Sequence, residues 1–251
     1  MSADDIVSLD YQERAVAFID ILGFAALVKA SGTDRAARDK VGKLIMADQL
    51  YSRVMGKFLD FAEFTFLSDS FVISTEPVNR TIHLVRETGL LCRYLLLKGF
   101  PCRGAITTGL LHHRERVVVG PAFLKAYQLE RTVAVYPRIV LDNVTVRKWI
   151  DDECAPDTAQ TALKPLVKQD RDGLHFLDIF HPKWFDFPRV TELDPSFGPE
   201  PLNAVEFLKV ALKPIRDGLS EYSGNPKVHA KYAWLETEHR ESSVALELKG
   251  Q

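Results

Sequence analysis

Three features of this chain predict an α+β sandwich. Short apolar runs of strand type alternate with long stretches whose apolar residues recur every three or four positions, and the order interleaves the two. With 251 residues, 46% of them hydrophobic and 26% charged, the chain can build a large core and has neither disordered nor fibrous composition.

Residues 15–22 form an apolar run that reads as a strand buried on both faces, interrupted only by Asp20. A helix follows over 33–58, with Val41, Leu44, Ile45, Tyr51, Val54, Met55 and Phe58 on one side and Thr33 or Asp34 as its cap. Residues 61–66 and 71–75 are rich in strand formers; Ser68-Asp69-Ser70 between them marks a hairpin with Asp69 at or beside its tip. A second helix over 79–98 stops at Gly99 and Pro101, and strands resume at 102–111 and 117–119. Gly120-Pro121 opens a helix to residue 130, and 139–141 is a strand. In this order each helix crosses over one or other face of a shared sheet, which gives a ferredoxin-like core.

Beyond Asp142 the pattern weakens. Residues 151–173 and 185–201 are polar or proline-rich and read as loop, followed by helices over 202–219 and 226–248 outside the sandwich. The expected division is a core, 1–145, and a C-terminal helical appendage, 146–251, packed on it.

The 32 Lys and Arg nearly balance the 34 Asp and Glu, so no basic excess exists to hold a nucleic-acid polymer. Apolar runs such as Leu95-Leu96-Leu97 fall far short of the ~20 residues of a membrane helix. The acidic start lacks a secretory signal. Cys92, Cys102 and Cys154, odd in number and widely spaced, fit a reducing compartment and read as buried small hydrophobes. A cytoplasmic protein is expected.

A carboxylate in an apolar strand needs compensation, which for Asp20 means a metal or a capped strand end. Asp69 offers a second carboxylate on the hairpin, although aspartate is also a common turn residue. Two carboxylates plus substrate phosphates are a usual way to hold Mg2+ or Mn2+.

At these residues the sequence resembles the class III nucleotide cyclases, and more closely the pyrimidine cyclases of bacterial antiphage defence. Phe18-Ile19-Asp20-Ile21-Leu22-Gly23-Phe24 is similar to the family's first metal motif, and Leu67-Ser68-Asp69 to its Gly-Asp hairpin with serine for glycine. Arg103-Gly104-Ala105-Ile106 through Gly109, with Gly120-Pro121-Ala122 through Leu129-Glu130, is similar to its later strand and helix. The resemblance implies a head-to-tail homodimer with sites at the interface. There Asp20, Asp69 and the Ile21 carbonyl hold two Mn2+ or Mg2+ ions, and Leu22, Gly23 and Phe24 meet the phosphates. The implied reaction converts UTP to 3',5'-cyclic UMP and pyrophosphate, a messenger for a separate antiphage effector. CTP as substrate, or a catalytically inactive nucleotide-binding module, is the alternative.

Departures from the family are informative. Leu124 and Gln128 stand where purine cyclases carry an asparagine and an arginine, so Lys125, Arg103 or Lys231 must neutralise the phosphates, or the protein is inactive. Thr65 and Val117 occupy the base-reading positions, and their lack of matched polar groups argues against ATP and GTP. Tyr51 is a candidate for narrowing the pocket, with core packing the favoured role. His112-His113 reads as part of a solvated turn. Lys231 beside Trp234 is a phosphate contact or, by preference, part of a docked amphipathic helix with Trp234 buried.

Overall fold

The computed structural model describes residues 9–58, 62–76, 81–143, 145, 164–186 and 202–249, without the side chains of 50–58, 248 and 249. Strand β1 (Gln12–Ile21) leads into helices α1 (Phe24–Ser31) and α2 (Arg35–Phe58). The hairpin β2 (Ala62–Leu67) and β3 (Ser70–Thr75), helix α3 (Thr81–Leu97) and strands β4 (Cys102–Arg114) and β5 (Val117–Val119) follow. Helix α4 (Pro121–Thr132), strands β6 (Ile139–Leu141), β7 (Val167–Gln169) and β8 (His175–Leu177), and helices α5 (Ala204–Glu221) and α6 (Pro226–Lys249) complete the described chain.

One sheet runs β2-β3-β1-β4-β6-β8-β7, with β5 paired to β4 outside that path. Its first four strands, all antiparallel in the order 2-3-1-4, make the predicted ferredoxin-like core.

The two-residue period of a strand decides which face each side chain takes. Ala15, Ala17, Ile19 and Ile21 of β1 join Phe71, Ile73 and Ile106 in the main core, under α3. Val16, Phe18 and Val72 point the other way, against Ala122 and Ala126 of α4. Asp20, two residues on from Phe18, therefore shares the α4 face.

The predicted helix over 33–58 is preceded by a separate helix, α1, that the pattern did not reveal. Asp34 supplies the cap of α2, its Oδ1 accepting the Ala36 N–H at 2.9 Å. Helix α3 is buried almost all round because α5 and Trp184 cover the side away from the sheet. Gly89 makes this close packing feasible: a β-carbon there would stand 2.0 Å from the Trp184 ring. Arg93 of α3 lies between the layers, its guanidinium 3.7 Å from the centre of the Phe207 ring while it donates to the Ile179 carbonyl.

The segment expected to be loop over 151–173 contains strand β7, which turns back at 170–174 to pair with β8. Strands of three residues are too short to show a period in the sequence. The turn is held by Arg138, whose side chain is 1% exposed and forks onto the carboxylates of Asp170 and Asp172. Since β8 pairs with β6, the sheet continues past residue 146. Of the loop expected over 185–201, residues 187–201 lie outside the described residues.

Candidate active site

Register places Asp20 of β1 directly opposite Arg103 of β4 on one side and Ser70 of β3 on the other. The hairpin tip is tied to the end of β1 by the Ile21 N–H, which donates to the Asp69 carbonyl at 3.0 Å. Ser68 turns the corner with φ 59, and the Asp69 carboxylate accepts from the Ser70 hydroxyl at 3.2 Å. The hairpin thus brings Asp69 to the end of β1, near enough for its charge to act on Asp20.

Arg103 is the cation closest to Asp20. Its Nε donates to Asp20 Oδ2 at 3.1 Å, and its Nη2 lies 2.7 Å from Glu130 Oε1, an ion pair that lacks the alignment of a hydrogen bond. The Asp20 side chain is 18% exposed and that of Glu130 only 4%. Burial raises the Asp20 carboxyl above its ordinary range; the hydrogen bond from Arg103 and its charge oppose the rise, and the charge of Asp69 adds to it. Burial raises Glu130 as well, against the pull of Arg103. Lys231, from α6, is lowered by burial and then by Arg103, while Asp20 and Glu130 act in the opposite direction. Three carboxylates and two cations therefore share one electrostatic neighbourhood, with contributions from β1, the hairpin, β4, α4 and α6.

Sequence patterns alone assign Glu130 no role in the site. A signal for it was present: Ala122, Ala126 and Glu130 recur every fourth position, which puts Glu130 on the inward face of α4.

Among the described residues no group of three or more His, Cys, Asp or Glu is placed to hold a metal ion. The donor chemistry of the pair nevertheless suits a hard divalent cation that takes its remaining ligands from phosphate or water. Asp20 keeps Oδ1 outside its bond to Arg103, and Asp69 is near enough for its charge to bear on Asp20. The compensation that a carboxylate in an apolar strand requires comes, in this structure, from the Arg103 guanidinium.

The turn after β1 has Gly23 at φ 80, in the left-handed region that favours glycine. Gly23 gives α1 no side-chain cap, so the first-turn N–H groups remain available to an anion. Leu22 and Phe24 flank it with side chains packed into separate apolar clusters, so only their backbone can serve a ligand.

Lys125 is paired with Asp142, which also accepts from Thr107, and it does not figure among the charges acting on Asp20. Val117 is exposed on β5. The Tyr51 side chain lies outside the described residues, as does Cys154; Cys92 and Cys102 are buried free thiols.

Thr65 is buried and already committed. Its hydroxyl donates to the Glu115 carbonyl at 2.8 Å, so it must accept from His113 Nε2 at 2.9 Å. The other ring nitrogen, Nδ1, then accepts from Ser74 at 2.8 Å, and the Ser74 oxygen accepts from Arg14 Nε at 3.0 Å. The solvated-turn reading of His113 is corrected: at 3% exposure it is the centre of a buried polar chain, because β4 runs on to residue 114 and carries it inward. Trp234 is half-buried, stacked on Tyr136 with ring centroids 5.7 Å apart.

No family model matches the chain, and no curated protein matches it. Several solved structures are similar. The adenylyl cyclase CyaB of Pseudomonas aeruginosa shares 14% identity over 67% of this chain and 94% of its own, with a TM-score of 0.47. A class III adenylyl cyclase-like ATP-binding protein of the same organism shares 16% over 88% of this chain and 47% of its own, at 0.48. A guanylyl cyclase domain from the aquatic fungus Blastocladiella emersonii shares 14% over 66% and 95%, at 0.44.

Proposed function

We propose that the protein is a nucleotide cyclase acting on a pyrimidine nucleoside triphosphate, UTP in the first instance. The observation that carries this reading is that Asp69 is tied to the end of β1 within electrostatic reach of Asp20, Arg103 and Lys231 act on the same carboxylate, and the turn that follows has no side-chain cap.

Asp20, Asp69 and the Ile21 carbonyl would hold Mg2+ or Mn2+, two ions per site; when bound, such ions acidify the ribose 3'-hydroxyl and offset phosphate charge. The N–H groups following Gly23 orient the phosphates. Arg103 and Lys231 place positive charge where negative charge develops as the 3'-oxygen, its proton released to solvent, attacks the α-phosphorus in line and pyrophosphate leaves. They stand in for the charge that Leu124 and Gln128 of α4 cannot supply. A pyrimidine is supported by Thr65, whose hydroxyl is spent within the protein, and by exposed, apolar Val117.

A homodimer with sites at its interface follows from the same reading and is supported by the exposed apolar side chains of the α4 region, Leu124, Tyr127 and Val117. The core over 1–145 would carry the site and the segment 146–251 would add Lys231. Among the described residues no helix is long and apolar enough to cross a membrane. A cytoplasmic messenger role, with the product acting on a separate effector, completes the proposal.

A second reading, an inactive nucleotide-binding module, is favoured by Arg103 occupying Asp20 and by the absence of a charge at Leu124 and Gln128. Incubation with UTP, CTP, ATP and GTP in Mn2+ separates the two. The expected product is cyclic UMP, lost in Asp20→Asn; a product from ATP or GTP alone refutes the pyrimidine assignment, and binding without turnover favours the module.

A further inference from the structure

We infer that Glu130 is a positioning residue that keeps Arg103 over the site when a divalent cation takes Asp20, an inference that rests on the cyclase reading. Arg103 is shared between two carboxylates, 3.1 Å from Asp20 and 2.7 Å from Glu130. A cation arriving at Asp20 competes with the guanidinium for the same carboxylate. The backbone under Arg103 cannot yield: it is paired to β1, and the next residue, Gly104, donates to the Arg138 carbonyl at 3.0 Å. Gly104 also lies so close to β1 that a β-carbon would stand 2.1 Å from the Phe18 carbonyl. Only the Arg103 side chain can respond.

Glu130 determines where it goes. This carboxylate is 4% exposed and carried inward by α4, and a buried charge whose partner leaves is left uncompensated. Arg103 therefore vacates Asp20 while staying with Glu130, which leaves its charge beside the phosphates. With Glu130 neutral, Asp20 is the carboxylate that Arg103 still contacts, and the incoming cation must displace it outright.

The test is a double-mutant cycle read by Mn2+ titration of the full chain, using electron paramagnetic resonance without nucleotide. Glu130→Gln is expected to weaken Mn2+ binding roughly tenfold in the wild-type background, with Glu130→Asp recovering part of the loss. In an Arg103→Met background the same change is expected to matter by less than about twofold, since the residue it acts through is gone. Equal weakening in both backgrounds would mean that Glu130 attracts the cation directly and overturns the inference, as would no weakening in either. Arg103→Gln provides the second background if Arg103→Met does not fold. Mn2+ binding insensitive to Asp20→Asn overturns the inference and the metal-dependent reading together. An intact cycle without UTP turnover refutes the substrate and upholds the role of Glu130.

Discussion

Acidification from pH 7.5 to 5.0 is expected to remove about 2 kcal/mol of folding stability through His113. Burial, then the charges of Arg14 and His112, lower its imidazole from the ordinary 6.5 to about 3. The chain of bonds explains why: with Nδ1 accepting from Ser74, a further proton there would face a donor hydroxyl backed by the Arg14 guanidinium. Because the folded value is depressed, the unfolded chain binds the extra proton first. Stability is full above pH 6.5 and falls as the pH drops towards 3. At pH 5.0 the unfolded imidazole lies one and a half pH units into protonation, at about 1.36 kcal/mol per unit, while the folded one remains neutral. His113→Gln retains a donor and an acceptor but does not titrate. Urea unfolding of both proteins at the two pH values isolates the residue, because other groups act equally in each. The variant should lose about 2 kcal/mol less than wild type. A difference below about 0.5 kcal/mol would refute the claim that His113 is held neutral.

Three further outcomes are expected. Gly89→Ala should lower stability by about 1–3 kcal/mol in thermal or urea unfolding, since its methyl would overlap the Trp184 ring. Arg138→Ala should cost about 3 kcal/mol by the same measurement, because it strands the largely buried Asp170 carboxylate that the guanidinium holds. Lys231→Ala should reduce cyclase turnover at least tenfold while Lys125→Ala reduces it by less than about threefold, given that Lys125 is engaged with Asp142; the reverse ranking would relocate the phosphate site.

The longer strands and helices of the first 141 residues were legible because their apolar periods are long enough to count, whereas the eight-residue α1 was too short to show one. The turn residues at Ser68-Asp69 put the second carboxylate on the hairpin, whereas the unbroken apolar run of β1 left the side that Asp20 takes to the packing of the sheet. Arg103 was readable as a nearby cation, but its grip on Asp20 depends on strand register, which local patterns do not specify. His113 was missed because the polar sequence around it resembles a turn, and only the length of β4 carries it into the interior. The pairing of Arg138 with the 170–172 turn spans more than thirty residues and leaves no local trace.

The place of β8 against β6 bears on how the chain acquires its shape during synthesis. A ribosome that has released residue 145 has delivered every strand up to β6, yet that strand still presents an open row of amides and carbonyls, and Arg138 has no acid to meet. The nascent sheet stays adhesive along this margin until the 164–186 segment emerges and seals it. Mutations that slow or weaken that late closure should show first as insoluble product, before any loss of chemistry in the soluble fraction.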